Sequence, residues 1–237
     1  MASAPRHSAS GAGSRRRILA LLDYDGTMTT PECNEIALQP LAGEQWWDLE
    51  QESYADRMSH AEVFQRQIGL IQAPRTEIIA RLLAVAEPLP GLREFFTALQ
   101  RRDGHSAIVS AGFRETIEEF WRREELPPMR LFASELIGGG PDDGPPYHLT
   151  FSSALGDCPR CGLASCKAAI LRALRRPGDL VLVFGDGPSD LCPAREADLT
   201  FARGHLAERC AEEGLEWRPL GDFSVVMGEV DAWLDGR

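Results

Sequence analysis

The sequence predicts a doubly wound α/β parallel sheet, a Rossmann-like core, with an inserted α-helical bundle, and three observations carry the prediction. Short, continuously apolar runs at Ile18–Leu22, Ala107–Val109 and Leu180–Phe184 each end in a polar or glycine-containing loop, as buried parallel strands do. Helical periodicities alternate with these runs. There is also an excess of chain: 82 residues separate Thr27 from Ser110, where a strand–helix–strand unit takes roughly 30 or somewhat more.

Taken in order, residues 1–16, rich in Ala, Ser and Gly, read as a disordered tail. The apolar stretch after Ser14-Arg-Arg-Arg17 stops at Asp23, too short for the core of an export signal. Ile18–Leu22 is the first strand. Residues 31–87 read as a helical cap, with helices over Glu44–Arg57, His60–Ile71 and Arg75–Ala86, closed by Pro88 and Pro90. Residues 17–30 and 88–237 form the core. Its helices are expected over Gly91–Arg102, Glu115–Arg123, Cys166–Arg175 and Val225–Leu234. Gly138–Pro146 is the strongest loop signal and precedes a short strand at Tyr147–Phe151.

Composition narrows the function. No apolar run approaches the length of a membrane span, and the net charge of −11 repels polyphosphate backbones and acidic membrane surfaces, so neither nucleic acid nor membrane is expected as a partner. Six cysteines in 237 residues do not make a disulfide scaffold, and a cytoplasmic location is expected. Oligomeric state, monomer or homodimer, stays open. Among 25 basic residues there are 24 Arg and one Lys, Lys167.

Ligands of open α/β sheets bind at the carboxyl ends of the strands, and carboxylates stand there. One strand end offers Asp23 and Asp25, another Asp186 and Asp190. If the two strands are neighbours, four acids crowd one site and repel unless a cation sits among them, which points to a hard, oxygen-rich Mg²⁺ site. Lys167 is a compact ammonium able to neutralise a phosphate and a carboxylate together. Ser110, with Gly112 nearby, offers a hydroxyl and approachable backbone amides to the same anion. These parts suit phosphoryl transfer. Cys158, Cys161 and Cys166 are an incomplete zinc set unless Cys192 joins them; zinc, a disulfide and plain thiols all remain open. Trp46 and Trp47 read as packing residues of the cap.

The set of motifs resembles the haloacid-dehalogenase-like phosphohydrolases over nearly the whole chain from Ile18. Asp23-Tyr-Asp-Gly-Thr-Met-Thr29, Val109-Ser-Ala-Gly112, Lys167 and Gly185-Asp-Gly-Pro-Ser-Asp190 are similar to the four family motifs, in order. The resemblance implies that Asp23 is a nucleophile forming an aspartyl phosphate and Asp25 a general acid and base. It further implies that Asp23, Asp25 through its carbonyl, Asp186 and Asp190 hold Mg²⁺, and that Ser110, Ala111 and Lys167 bind phosphate. The inserted helices resemble the cap of the phosphoserine-phosphatase-like branch, which implies that Glu32 and Arg66 contact the non-phosphate end of a small phosphorylated metabolite. Ala111 and Ser189 depart from the phosphoserine phosphatase pattern. Cys158–Lys167, Asp190–Pro193 and Asp198–Phe223 are similar to methionine-salvage phosphatases of hydroxy-keto-methylthiopentenyl phosphate and to phosphoethanolamine/phosphocholine phosphatases. A non-catalytic phosphoryl-binding regulator of the same fold is the rival reading.

Overall fold

A computed structural model describes residues 16–55, 57–151 and 166–236. The chain runs through β1 (Ile18–Leu22) and β2 (Thr29–Thr30), then four helices, α1 (Cys33–Ala42), α2 (Gln45–Tyr54), α3 (His60–Leu70) and α4 (Arg75–Val85), before β3 (Glu87–Pro88). It continues as α5 (Leu92–Arg101), β4 (His105–Phe113), α6 (Arg114–Arg123), β5 (Arg130–Gly138), β6 (Tyr147–Phe151) and α7 (Lys167–Leu174). The last elements are β7 (Leu180–Gly185), α8 (Leu191–Ala194), β8 (Leu199–Ala202), α9 (Gly204–Glu213), β9 (Trp217–Pro219) and α10 (Phe223–Asp235).

Seven strands form one sheet in the order β6-β5-β4-β1-β7-β8-β9, all parallel except β6, which runs antiparallel to β5 at one edge. The expected doubly wound α/β architecture is what the chain adopts. β1 lies at the centre because all five of its residues are apolar and both faces are covered. Ile18, Ala20 and Leu22 join one core cluster, with Phe95 and Phe223 of α5 and α10. Leu19 and Leu21 join the other, with Ile170 and Leu171 of α7. Alternation along one strand thus welds two helical layers to the sheet. In the first layer, rings of Phe95, Phe184 and Phe223 stand 5.2 to 5.6 Å apart. Each such buried ring contributes about 1.5–3 kcal/mol by leaving water.

The order of strands places a switch point between β1, from which the chain leaves toward β4, and β7, from which it leaves toward β8. Leu22 pairs with Phe184, so the loops bearing Asp23 and Asp186 emerge side by side. Adjacency of the two acidic loops was the condition for the cation site, and the register meets it.

β2 and β3 pair antiparallel, Thr29 with Pro88 and Thr30 with Glu87, bringing the two crossings of the inserted chain together. A capping box starts α3: the Ser59 hydroxyl accepts from Glu62 N, and the Glu62 carboxylate accepts from Ser59 N. The inserted helices rest on the sheet's antiparallel edge. Leu149 N donates to Gln65 at 2.8 Å, the Tyr147 hydroxyl to the Ala73 carbonyl at 3.0 Å, and Arg75 pairs with Glu115 and Asp143.

Three expectations need correction. The insertion holds a fourth helix, α1, with Pro40 in its last turn, where the helix can end around it. The strand expected over Ala107–Val109 is longer, spanning His105–Phe113 with an irregular register between Val109 and Phe113. β5, β8, β9 and α9 were not anticipated, because β5 alternates poorly and the other two strands are only four and three residues long. No described helix is long and apolar enough to cross a membrane. Residues 1–15 lie outside the described residues; Arg16 donates to the Gly178 and Asp179 carbonyls.

Candidate active site

Four chain segments converge at the carboxyl ends of β1, β4 and β7. Lys167, at the first turn of α7, is 5% exposed, and its Nζ lies 2.7 Å from both Asp23 and Asp190. Asp23, Asp186 and Asp190 each present a carboxylate oxygen within 4.8 Å of the others. They are the one such group among the described residues. Asp190 is spoken for on both oxygens: one meets Lys167, the other accepts from Asp186 N and Gly187 N at 3.2 Å. It therefore fixes the ammonium and the loop of Asp186 together.

Two glycines let the acidic loops meet. Gly26 has φ +69°, and a Cβ there would stand 2.4 Å from Asp186 Oδ2. A Cβ at Gly185 would stand 2.3 Å from Asp190 Cγ. The Thr27 hydroxyl donates to Asp186 at 2.6 Å, tying the first loop to the second. The Asp25 carboxylate accepts from Cys33 N at 2.5 Å and Asn34 N at 3.0 Å at the start of α1. It links the core acid cluster to the inserted helices.

The electrostatics follow from burial. Asp23 is pushed well above the ordinary carboxylate range by desolvation, with Lys167 opposing and Asp190 and Asp186 adding to the push. Asp186 is raised to about 6 by burial and Asp190. Asp25 is raised by burial against the pull of the Asn34 and Cys33 amides. Burial alone would lower Lys167; the carboxylates of Asp190 and Asp23 outweigh it and hold the ammonium charged. Three hard oxygen donors crowded within 4.8 Å of one another are a donor set whose repulsion a small divalent cation relieves, so the residues fit Mg²⁺.

Ser110 is buried on β4, two residues beyond the Ile108–Leu22 pair, at the same end of the sheet. Its hydroxyl accepts from Gly112 N at 3.0 Å. Ala111 is exposed and lines a small cavity of about 50 Å³ under the inserted helices. Glu32 and Glu35 border this cavity from the start of α1, Trp46 and Glu50 from α2, and Phe64 and Gln67 from α3. Glu32 is exposed at the mouth of the cavity; partial desolvation there, with Asp25, Asp186, Glu35 and Glu50 adding, raises its carboxyl to about 7.

Arg66 is exposed, its charge acts on Glu52 and Glu62, and Gln67 beside it borders the cavity. Helical periodicity separates neighbours by about 100°, so both cannot face inward. Trp46 is 2% exposed and lines the cavity, whereas Trp47 is 43% exposed. Asn34, Glu35, Glu50 and Gln67 escaped the sequence reading because only the packing of three helices brings them together. A larger cavity of about 360 Å³, lined by Arg17, His105 and Arg130, opens at the amino ends of the strands, away from every acid discussed here. Cys158 and Cys161 lie outside the described residues; Cys166 and Cys192 are buried against Ala168, and neither joins the candidate metal group.

A profile of the haloacid dehalogenase-like hydrolases matches residues 20–195, most of the chain and all four of these segments. The chain belongs to this family. Curated relatives of this hydrolase include a 2-hydroxy-3-keto-5-methylthiopentenyl-1-phosphate phosphatase of Geobacillus kaustophilus, 29% identical over 90% of this chain and 94% of that protein. One of the same name from Bacillus velezensis is 27% identical over 94% and 96%. Among solved structures, a phospho-aspartyl intermediate analogue of phosphoserine phosphatase superposes with TM-score 0.67 at 18% identity, covering 91% of this chain and 99% of that one. That likeness shows the shared fold. The enzyme class expected from the sequence, a phosphoric monoester hydrolase, agrees with the family and with the named phosphatases.

Proposed function

We propose that this hydrolase cleaves a small phosphorylated metabolite through an aspartyl phosphate on Asp23, with Mg²⁺ as cofactor. The observation that carries the reading is the Lys167 ammonium held 2.7 Å from Asp23 and 2.7 Å from Asp190 in a buried site. Repulsion between a phosphate dianion and an attacking carboxylate is the main barrier, and this charge is placed to screen it. Asp23, Asp186 and the Asp25 carbonyl would hold Mg²⁺, with Asp190 behind them; the ion would neutralise charge on the phosphoryl oxygens.

The chain's own groups supply the rest. An Asp23 oxygen attacks phosphorus, the P–O bond to the alcohol breaks, and the leaving oxygen takes its proton from Asp25, whose burial keeps the carboxyl protonated more readily than in water. Asp25 then accepts a proton from water as that water attacks the aspartyl phosphate, releasing inorganic phosphate and restoring Asp23. The Ser110 hydroxyl and the Ala111 amide bind the phosphoryl oxygens. Residues 31–87 act as a cap that excludes bulk water, hinged where β2 pairs with β3. The relatives' ester is the first substrate to assay.

Phosphate release from an ester panel with Mg²⁺ tests the reading. Asp23→Asn should lose at least about 10³-fold in kcat. Full activity in that variant overturns the nucleophile. Binding of beryllofluoride with no turnover of any ester favours a phosphoryl-binding regulator.

A further inference from the structure

The larger cavity, at the amino ends of the strands, plays no part in the reaction, and its lining is basic. Four neighbouring strands begin there, in the order β5-β4-β1-β7. Each brings a basic residue: Arg130 is the first residue of β5 and His105 the first of β4, Arg17 precedes β1, and Arg176 stands in the loop before β7. Register holds them at one end of the sheet, since Leu19 pairs with His105 and Ala107 with Arg130. No Asp or Glu among the described residues lines the cavity, in a chain of net charge −11. Arg17 is already paired, its Nε donating to the Asp179 carboxylate at 2.7 Å. The exposed guanidiniums of Arg130 and Arg176 and the imidazole of His105 make no hydrogen bond or ion pair among the described residues; Arg176 acts on Asp179 through space. Between these groups the floor is apolar, with Leu19 of β1, Phe96 and Leu99 of α5 and Leu174 of α7, so the cavity crosses the end of the sheet between its two helical layers.

We infer that this cavity is a second binding site, for a dicarboxylate whose two acid groups end a short apolar stem. Arg130 and Arg176 belong to the outer two of the four strands, three strand spacings or roughly 14 Å apart along the sheet. Each guanidinium offers a planar fork of donors that matches a carboxylate. A monoanion engages one fork, whereas a dianion engages both and lays its stem over the apolar floor, where it displaces water. Two carboxylates balance two guanidiniums; two phosphates would bring about four charges against them. A volume of about 360 Å³ lies within the range of small-molecule sites. The chain's own residues 1–15 do not match this chemistry, carrying Arg6, His7 and Arg15 and no acid. The cavity lies at the opposite end of the strands from Asp23 and Asp186, so the inference does not rest on the phosphatase reading.

The test is calorimetric titration of the full-length, metal-free protein with succinate, adipate and suberate, beside hexanoate as a monoanion and 1,6-hexanediol as a neutral stem. One diacid should bind with a Kd at least about tenfold below that of hexanoate, and the diol should give no heat of binding. Arg130→Gln and Arg176→Gln remove guanidiniums that have no partner to lose, so each should weaken the diacid about tenfold while the Tm of ligand-free protein and the rate of ester hydrolysis stay at wild-type values. Lys167→Gln, at the other end of the strands, should leave the diacid Kd unchanged. The inference is overturned if no diacid binds below about 10 mM, if hexanoate binds as tightly as the best diacid, or if binding survives both arginine substitutions and is lost in Lys167→Gln, which would place the ligand among the acids of the active site. No ester is present in the titration, so its outcome is independent of whether the protein turns one over.

Discussion

Two acidic clusters lie close together in this molecule, and they are built on opposite terms. Asp23, Asp186 and Asp190 stand at strand ends, the first two half-buried and the third buried, with a lysine held between Asp23 and Asp190. Glu32, just before α1, and Glu35 and Glu50, on α1 and α2, border a cavity with no basic residue lining it among the described residues. The first cluster carries its own counter-charge, and Gly26 and Gly185 let its loops approach more closely than a side chain there would allow. The second leaves its charge open. One cluster is neutralised from within by an ammonium, and the other has no basic residue lining it.

Breaking the internal neutralisation should have the largest effect. Lys167→Gln removes the ammonium shared by Asp23 and Asp190 and should lower kcat on the order of 10²–10³-fold at saturating Mg²⁺, measured by phosphate release. A variant within a factor of two of wild type would mean that the ammonium does not screen the reaction.

A smaller, thermodynamic effect sharpens the contrast. In metal-free protein Asp186 is raised from its ordinary value to about 6, so its share of stability is full below pH 3.8 and is lost as pH rises through about 6. Mg²⁺ opposes this loss by binding the ionised form. The rise in Tm on adding Mg²⁺ should therefore be greater at pH 7.5 than at pH 5, by about 5 °C, as 1 kcal/mol moves a chain of this size by roughly 2–4 °C. A shift that is the same at both pH values removes Asp186 from the metal site.

The smallest expected effect comes from the second cluster and has the opposite sign. Glu35→Gln relieves repulsion on Glu32 and should raise the Tm of ligand-free protein by about 1–3 °C, while removing no internal ion pair. A fall in Tm would mean that Glu35 is stabilised by a partner, and the two clusters would no longer differ in kind.

How far the sequence alone reaches differs between the clusters in the same way. Asp23, Asp25, Asp186, Asp190 and Lys167 sit at the ends of apolar runs or in a composition anomaly, one Lys among 24 Arg, so local signals mark them. Glu35, Glu50 and Gln67 carry no such mark, being ordinary polar residues of amphipathic helices. On α3 one helical step separates Gln67, which borders the cavity, from Arg66, which is exposed, and helix rotation of that kind is not marked locally in the sequence. β8 and β9 were invisible because strands of four and three residues hold their place by pairing with a neighbour, not by their own pattern.

The amino-acid order by itself determined the layered α/β class, the central strands and the acids that follow them, because buried parallel strands must be apolar throughout and polar groups can begin only where they end. Tertiary structure alone decided that β1 lies against β7, that one ammonium reaches two carboxylates, and that three helices enclose a cavity rimmed with glutamates. Those outcomes depend on register and on helix rotation, which are set by packing between segments far apart in the chain.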